Sequence, residues 1–414
     1  MSNFYKKKKY LIFSLLSLIL GVILLTISIY KILYIHEYDI IRIIDFIKIK
    51  NNYIYPYSIN RTNFVRQIYN RPWAALYTSL LYFFSISLGS FIFLIIQHIS
   101  KSVWPVILIF IMEGVVNFIP YVSKLIFFIY ILNIIGINNL FKKDIICDSI
   151  FNIKYYENFV NFFNKKYICN IILKLIKLYI FIYIINLFVN KILMSSKKLD
   201  KFNKIKYYNR IYKYSVIFII IYSIYSIFRG WDWVMIFNFN WISTIFNWYL
   251  LGTNLCVGVA MITLLFLVFK SKLTFLSKEH LHDLKKYIFS TSFLWSYLWF
   301  VQFLLIWYSN IPEEVIYLTN RFNKYKNLEI LILIINFVIP FFTFLSKKKR
   351  IMFLCISLLV GHYMNMYNMI MPESVGVFSE IGFEEIGSLI FIGSIFLIKV
   401  IKYIERRDYR KKRL

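Results

Sequence analysis

The sequence predicts an all-α polytopic membrane protein of about ten transmembrane helices, and three observations lead there. Of its 414 residues, 60% are apolar, 21% aromatic and only 17% charged, with a mean hydropathy of +0.64. Soluble domains hold about 45–50% apolar residues and about a quarter charged ones. Apolar runs of roughly 17 to 25 residues, enough to cross about 30 Å of hydrocarbon, recur along the whole chain. Basic residues collect in alternate connections between those runs, as they do in loops retained in the cytoplasm.

In chain order the spans read as 10–30, 74–97, 104–135 with Pro120 inside it, 168–193, 211–228, 244–269, 284–308, 328–345, 351–371 and 385–403. The first follows Lys6–Lys9, but its apolar run is too long for a signal peptide and lacks a small-residue cleavage site, so it reads as an uncleaved anchor. Both ends are basic, as an even number of spans with both termini cytoplasmic requires. Residues 191–213 carry eight Lys and Arg, 270–286 five and 347–350 four, whereas 372–384 carry none and hold Glu373, Glu380 and Glu384. Segment 31–73 departs from the rule, with seven basic residues on the outer side, but it is long enough to be translocated regardless. One integral membrane domain covers 1–414: the first span and a variable outer loop over 1–60, a helical core over 61–403 and a basic tail over 404–414. Between two spans, Gly230–Trp248 holds four Trp and an acid, which reads as an anchor at the headgroup level.

Several function classes are excluded on motif grounds. A formal net charge of +29, from 49 Lys and Arg against 20 Asp and Glu, would suggest nucleic acid in a soluble protein. Between spans it reports topology, and no nucleic-acid partner is expected. The four Cys, at 147, 169, 256 and 355, form no CxxC or CxxCH, so no disulfide framework, iron–sulfur cluster, c-type haem or metal site is expected. No GxxxxGK[ST] and no GxSxG occurs.

Titratable residues supply the candidate chemistry. Ser277–Lys286, reading SKEHLHDLKK at the cytoplasmic entrance of the seventh span, brings Glu279, His280, His282 and Asp283 within five positions. On a helix Asp283 shares a side with Glu279 and His280, while His282 points elsewhere. Such a cluster can collect protons; equally, acids at a helix start offset the N-terminal dipole. At the outer end of that span, Glu313 and Glu314 follow Pro312, as a proton-accepting pair or as a Pro-initiated turn. Asp232 lies in the Trp-rich outer segment. Inside spans, Glu113, Lys124, His362 and Glu385 are functional candidates because burying a charge in lipid is costly. His98 and His362 differ too much in depth to ligate one haem, and a lone His362 after Gly361 fits a hydrogen-bonded packing residue as well as a proton contact.

Four stretches together resemble one family. These are EHLHDLKKYIFSTSFLWSYLWFVQFLLIWYSNIPEE at 279–314, GWDWVMIFNFNWISTIFNWY at 230–249, RPWAALYTSLLYFFSISLGSFIF at 71–93 and GHYMNMYNMIMPESVG at 361–376. They resemble the second NrfD-like (polysulfide-reductase-membrane-subunit-like) protein of alternative complex III, its quinone-binding subunit 2; that complex is a quinol:cytochrome c oxidoreductase. The resemblance covers roughly residues 60–400. It implies NrfD-like helix bundles in a bacterial inner membrane, in a complex that oxidises menaquinol and passes electrons to cytochrome c or a terminal oxidase. It implies haem c and iron–sulfur clusters in partner subunits and none bound here, a sister NrfD-like subunit alongside, and proton conduction as a possible role. The chain departs from the family pattern at Lys285, where a Gly follows the HDL triplet, and at Asn238, Asn240 and Asn365, where titratable residues stand.

Glu279, His280, His282, Asp283, His362, Glu113, Asp232, Glu313 and Glu314 are thus the proton-relay candidates, and no quinol-binding residue is assigned. A purely structural membrane anchor and a proton-coupled secondary transporter are the alternatives. A transporter expects paired broken spans at matching positions in two halves.

Overall fold

The computed structural model describes residues 2–33, 61–138, 140–141, 157–237, 241, 243–269, 278–345, 350–375 and 381–411. Asn238, Asn240, Ser277, Glu380, most of segment 31–73 and residues 412–414 lie outside them. Over the described residues the chain is all-helical apart from short connections. Its helices are α1 (Ser2–Leu33), α2 (Arg61–Ile99), α3 (Ile109–Val116), α4 (Ile119–Ile135), α5 (Glu157–Phe202), α6 (Ile205–Trp233), α7 (Phe246–Phe269), α8 (Lys278–Ser309), α9 (Pro312–Leu333), α10 (Ile339–Leu345), α11 (Ile351–Val375) and α12 (Phe383–Lys411).

Among the described residues ten helical segments are long and apolar enough to cross a membrane, one for each span read from the sequence. The protein is therefore a multi-pass membrane protein. Several helices overrun the apolar cores: the fifth span runs from Ile205 to Phe237 rather than 211–228. The added turns carry Tyr, Trp, Arg and Lys, which suit the interface, while backbone hydrogen bonding inside the helix continues past the hydrocarbon.

The helices form two closed groups. In the first, α2 packs on the α3–α4 pair, α4 on α5, α5 on α6, and α6 back on α2. In the second, α7 packs on α8, α8 on α9 and α10, α9 on α11, and α11 back on α7. Helix α2 joins the groups through α7 and α11, and α1 lies along α12, which covers α2 and α3. Span Tyr69–Ile99 is 94% buried over its apolar window, so α2 is the central post of the molecule.

Such a helix must satisfy its own polar groups without water. The buried hydroxyls of Thr78, Ser87 and Ser90 donate to the carbonyls of Ala74, Phe83 and Ile86 at 2.8–2.9 Å. Small residues also let α2 and α7 approach backbone to backbone. A Cβ on Gly258 would lie 2.5 Å from the Gly89 carbonyl carbon, and one on Gly89 would collide with the Asn254 carbonyl oxygen. Such a crossing relies on dispersion at close range, because lipid supplies no hydrophobic drive between helices.

Two spans are broken. The third bends at Asn117–Phe118, where Pro120 enters the first turn of α4. The eighth passes from α9 into a π-helical turn, Ile334–Val338, before α10. Pro340 lacks an N–H and cannot bond the Asn336 carbonyl four residues back. That carbonyl instead accepts the Ser292 hydroxyl of α8. A proline break is tolerated in a membrane only where a neighbour re-satisfies the freed group, as here.

The Trp-rich segment splits. Trp231 and Trp248 are exposed, as interfacial anchors should be, but Trp233 and Trp241 are buried. Trp233 packs at 5.0 Å from Phe84, and Trp241 stacks at 3.7 Å on Tyr317.

If the α2–α7 approach holds the groups together, Gly89→Ala should lower the stability of the purified protein by about 1–3 kcal/mol, the usual cost of overpacking. Ile224→Ala, on the exposed face of α6, should change it by less than about 0.5 kcal/mol. Thermal unfolding in detergent, followed by far-ultraviolet circular dichroism, measures both.

Candidate functional site

Polar residues on α11 repeat at helical spacing: His362, Asn365 and Asn368 fall at i, i+3 and i+6, with Glu373 at the end of the same helix. They line one face turned toward α7, α8 and α9. All three of His362, Asn365 and Asn368 are buried. The stripe runs from mid-span to the end of the bundle opposite the termini.

Around its outer half lies a small pocket, partly open to the surroundings. Trp299, Phe303 and Phe322 give it aromatic walls, and Tyr249, Arg321 and Glu329 bring polar groups to it. The Tyr249 hydroxyl donates to Asn365 Oδ1 at 2.7 Å, and the Asn368 amide donates to Glu329 Oε1 at 2.5 Å. Arg321 lies 3.6 Å from Glu373 and donates to the Tyr317 carbonyl at 3.1 Å. Its guanidinium sits 3.5 Å over the Tyr317 ring, whose other side carries Trp241. Burial pushes the Tyr317 phenol up to about 12, despite the opposing pull of Arg321. Tyr317 therefore stays a neutral wall.

Local backbone explains how α9 offers both Arg321 and Glu329. Residues eight apart lie only about 80° apart around a helix axis, so both can face one pocket, and the helix kinks between them at Tyr325 (φ −120°, ψ 23°). Below it, Gly361 lets α11 approach the π turn, since a Cβ there would collide with the Asn336 amide oxygen. His362 then lies edge-on to Trp295 at 5.3 Å, and neither ring nitrogen has a partner among the described residues. His362 is thus a packed residue whose two ring nitrogens find no protein partner among the described residues. Both side-chain atoms of Asn336, Asn365 Nδ2 and Asn368 Oδ1 are likewise buried and unpartnered there.

The other candidates fall elsewhere. Glu113 is fully buried toward the end carrying the termini, where it pairs with Arg407 and accepts the Tyr403 hydroxyl at 3.0 Å. Arg407 also donates to Asp200 at 2.9 Å and to Ser196 at 2.8 Å. Glu113 thus faces a fixed cation held by a second carboxylate, an arrangement that locks charge in place. Glu385 similarly meets Arg71 in two bonds, at 3.1 and 3.3 Å, joining the start of α12 to α2.

Glu279 and His282 are exposed at the start of α8, and His280 and Asp283 are partly exposed. Asp283 pairs with Lys286 at 3.3 Å across one turn. Asp232 is partly exposed at the end of α6, and its backbone carbonyl accepts the Tyr130 hydroxyl at 2.8 Å. Glu313 and Glu314 stand in the first turn of α9, where Pro312 starts the helix, and the side chain of Glu313 lies outside the described residues. His98 is near the far end of α2, away from His362. Among the described residues no group of three or more His, Cys, Asp or Glu could hold a metal ion.

Of the candidates read from sequence, then, only His362 joins the polar stripe. Glu329 and Arg321 are not among those candidates: a span over 328–345 puts Glu329 at its very edge and Arg321 outside it. An acid between Leu328 and Ile330, inside the eighth span as the sequence bounds it, was the available signal.

Arg407→Met should cost about 3–5 kcal/mol, because it strands the Glu113 carboxylate, while adding Glu113→Gln should recover most of that loss. Thermal unfolding of the purified single and double variants measures the difference. No known family and no curated protein matches this chain in sequence comparison.

Proposed function

We propose that this chain is a membrane subunit of a respiratory quinol:cytochrome c oxidoreductase of the alternative complex III type, and that the pocket between α7, α8, α9 and α11 receives the quinol headgroup. The observation that carries the reading is a buried carboxylate, Glu329, beside a buried Arg321 in an aromatic-walled pocket. Ligand sites of this kind combine apolar walls with a few converging polar groups. The family resemblance supplies the reaction class.

Oxidising a quinol removes two electrons and two protons. Trp299 and Phe303 would hold the ring, and Glu329, its Oε1 held by the Asn368 amide, would accept the two phenolic protons in turn, releasing the first before taking the second. Arg321 would favour the phenolate character that develops as each proton leaves. Electrons would leave for haem c and iron–sulfur clusters in partner subunits, since this chain brings no redox motif. The unpartnered atoms of His362, Asn336 and Asn365 require water as a hydrogen-bonding partner, which gives protons a possible route along α11. With the termini cytoplasmic in the bacterial inner membrane, the pocket lies in the outer half.

A secondary transporter fits less well. The two broken spans are the second helix of the first group and the third of the second, so they do not occupy matching positions.

The test is mild-detergent purification of the tagged chain with subunit identification and menaquinol:cytochrome c activity, on wild type, Glu329→Gln and Asp283→Asn. Haem-containing subunits should co-purify, and Glu329→Gln should assemble but lose about a hundredfold or more in turnover, the usual worth of a general base. A loss in Asp283→Asn as well would extend the relay to the cytoplasmic face. Full activity in both variants would leave the chain a structural anchor, and purification without haem subunits would defeat the family reading.

A further inference from the structure

The α4–α12 face carries an anomaly that quinol chemistry does not use. The 27-residue span Ile109–Ile135 centres on Val122, which places Lys124 about 3 Å along the axis from mid-depth. Lys124 is exposed, on a face it shares with Tyr121, Leu125 and Phe128, which are 42, 37 and 54% exposed. A second cation joins it: Lys399 of α12 sits about 6 Å from the midpoint of the 25-residue span Phe383–Arg407. Its ammonium lies 3.8 Å over the Tyr121 ring, on the same face. No carboxylate among the described residues pairs with either lysine.

An exposed cation at the centre of a lipid-facing helix is costly. Headgroups lie about 15 Å from mid-depth, beyond the reach of the Lys124 side chain, so anionic lipid does not answer this charge. A second copy of this chain does not answer it either. Glu113, Glu329 and Glu385 are buried, and the other described acids within spans stand near span ends. We propose that this face docks a transmembrane helix of a different membrane protein, which presents an Asp or Glu at mid-depth between Lys124 and Lys399. Tyr121 and Phe128 would pack against that helix on either side of the charge pair.

The experiment uses the full chain in native membranes and stands apart from the quinol reading. Phe128→p-benzoylphenylalanine is irradiated beside Ile224→p-benzoylphenylalanine, and crosslinked peptides are sequenced. Capture at Phe128, and not at Ile224, of a spanning segment with a mid-depth acid is expected. Lys124→Glu with Lys399→Glu should reduce co-purification of that protein by about tenfold or more, and changing the partner's acid to Lys should restore it. Crosslinks to lipid alone, to a second copy of this chain, or to a segment without an acid would overturn the proposal. So would unchanged co-purification of the double variant, or failure of the charge swap to rescue a variant that still folds by circular dichroism.

Discussion

Where Gly89 of α2 meets Gly258 of α7, two backbones approach so closely that a Cβ on either glycine would collide with the other helix. In lipid no hydrophobic drive pulls helices together, so close dispersion contact and shared polar groups must do it. The contact sets the spacing between the two helix groups. With α7 drawn against α2, α11 fits the angle between them and touches both. That position turns the His362, Asn365 and Asn368 face toward α8 and α9. The pocket therefore depends on a contact between helices of which only α7 lines it.

Exclusion of water then sorts the charged residues into kinds. Arg407 neutralises Glu113 and Asp200, and Arg71 neutralises Glu385, each tying α12 to the first group. A buried pair of this kind contributes little net stability, because desolvation offsets attraction, but losing one partner is costly. These pairs fix the placement of α12. Glu329 differs in kind: it shares a pocket with an arginine without an ion pair of its own among the described residues, and its partner is the Asn368 amide. Lys124 forms a third kind, an exposed cation near the middle of a candidate span, with no carboxylate partner among the described residues.

Backbone irregularity falls in the same region. The kink at Tyr325, the π turn at Ile334–Val338 and Pro340 all belong to the eighth span. Pro340 leaves the Asn336 carbonyl to accept the Ser292 hydroxyl, and the kink at Tyr325 lies between Arg321 and Glu329. Irregular helices are tolerated in membranes where they border protein or a cavity rather than lipid. This span borders both α8 and α11.

The sequence by itself determined the all-helical class, the ten spans and the alternation of basic loops, because each follows from length, hydropathy and charge counted along the chain. It also marked Glu113, Glu385, Lys124 and His362 as costly to bury, since that cost belongs to the residue type. Tertiary structure alone decided what became of them. Pairing of Glu113 with Arg407 spans almost three hundred positions, and no local pattern encodes a partner so distant. Glu329 and Arg321 came to the pocket where α9 packs on α11, and Trp233 and Trp241 left the interface for the core through helix packing. Hydropathy records whether a side chain tolerates lipid, whereas which neighbour it meets there is set by how the helices cross.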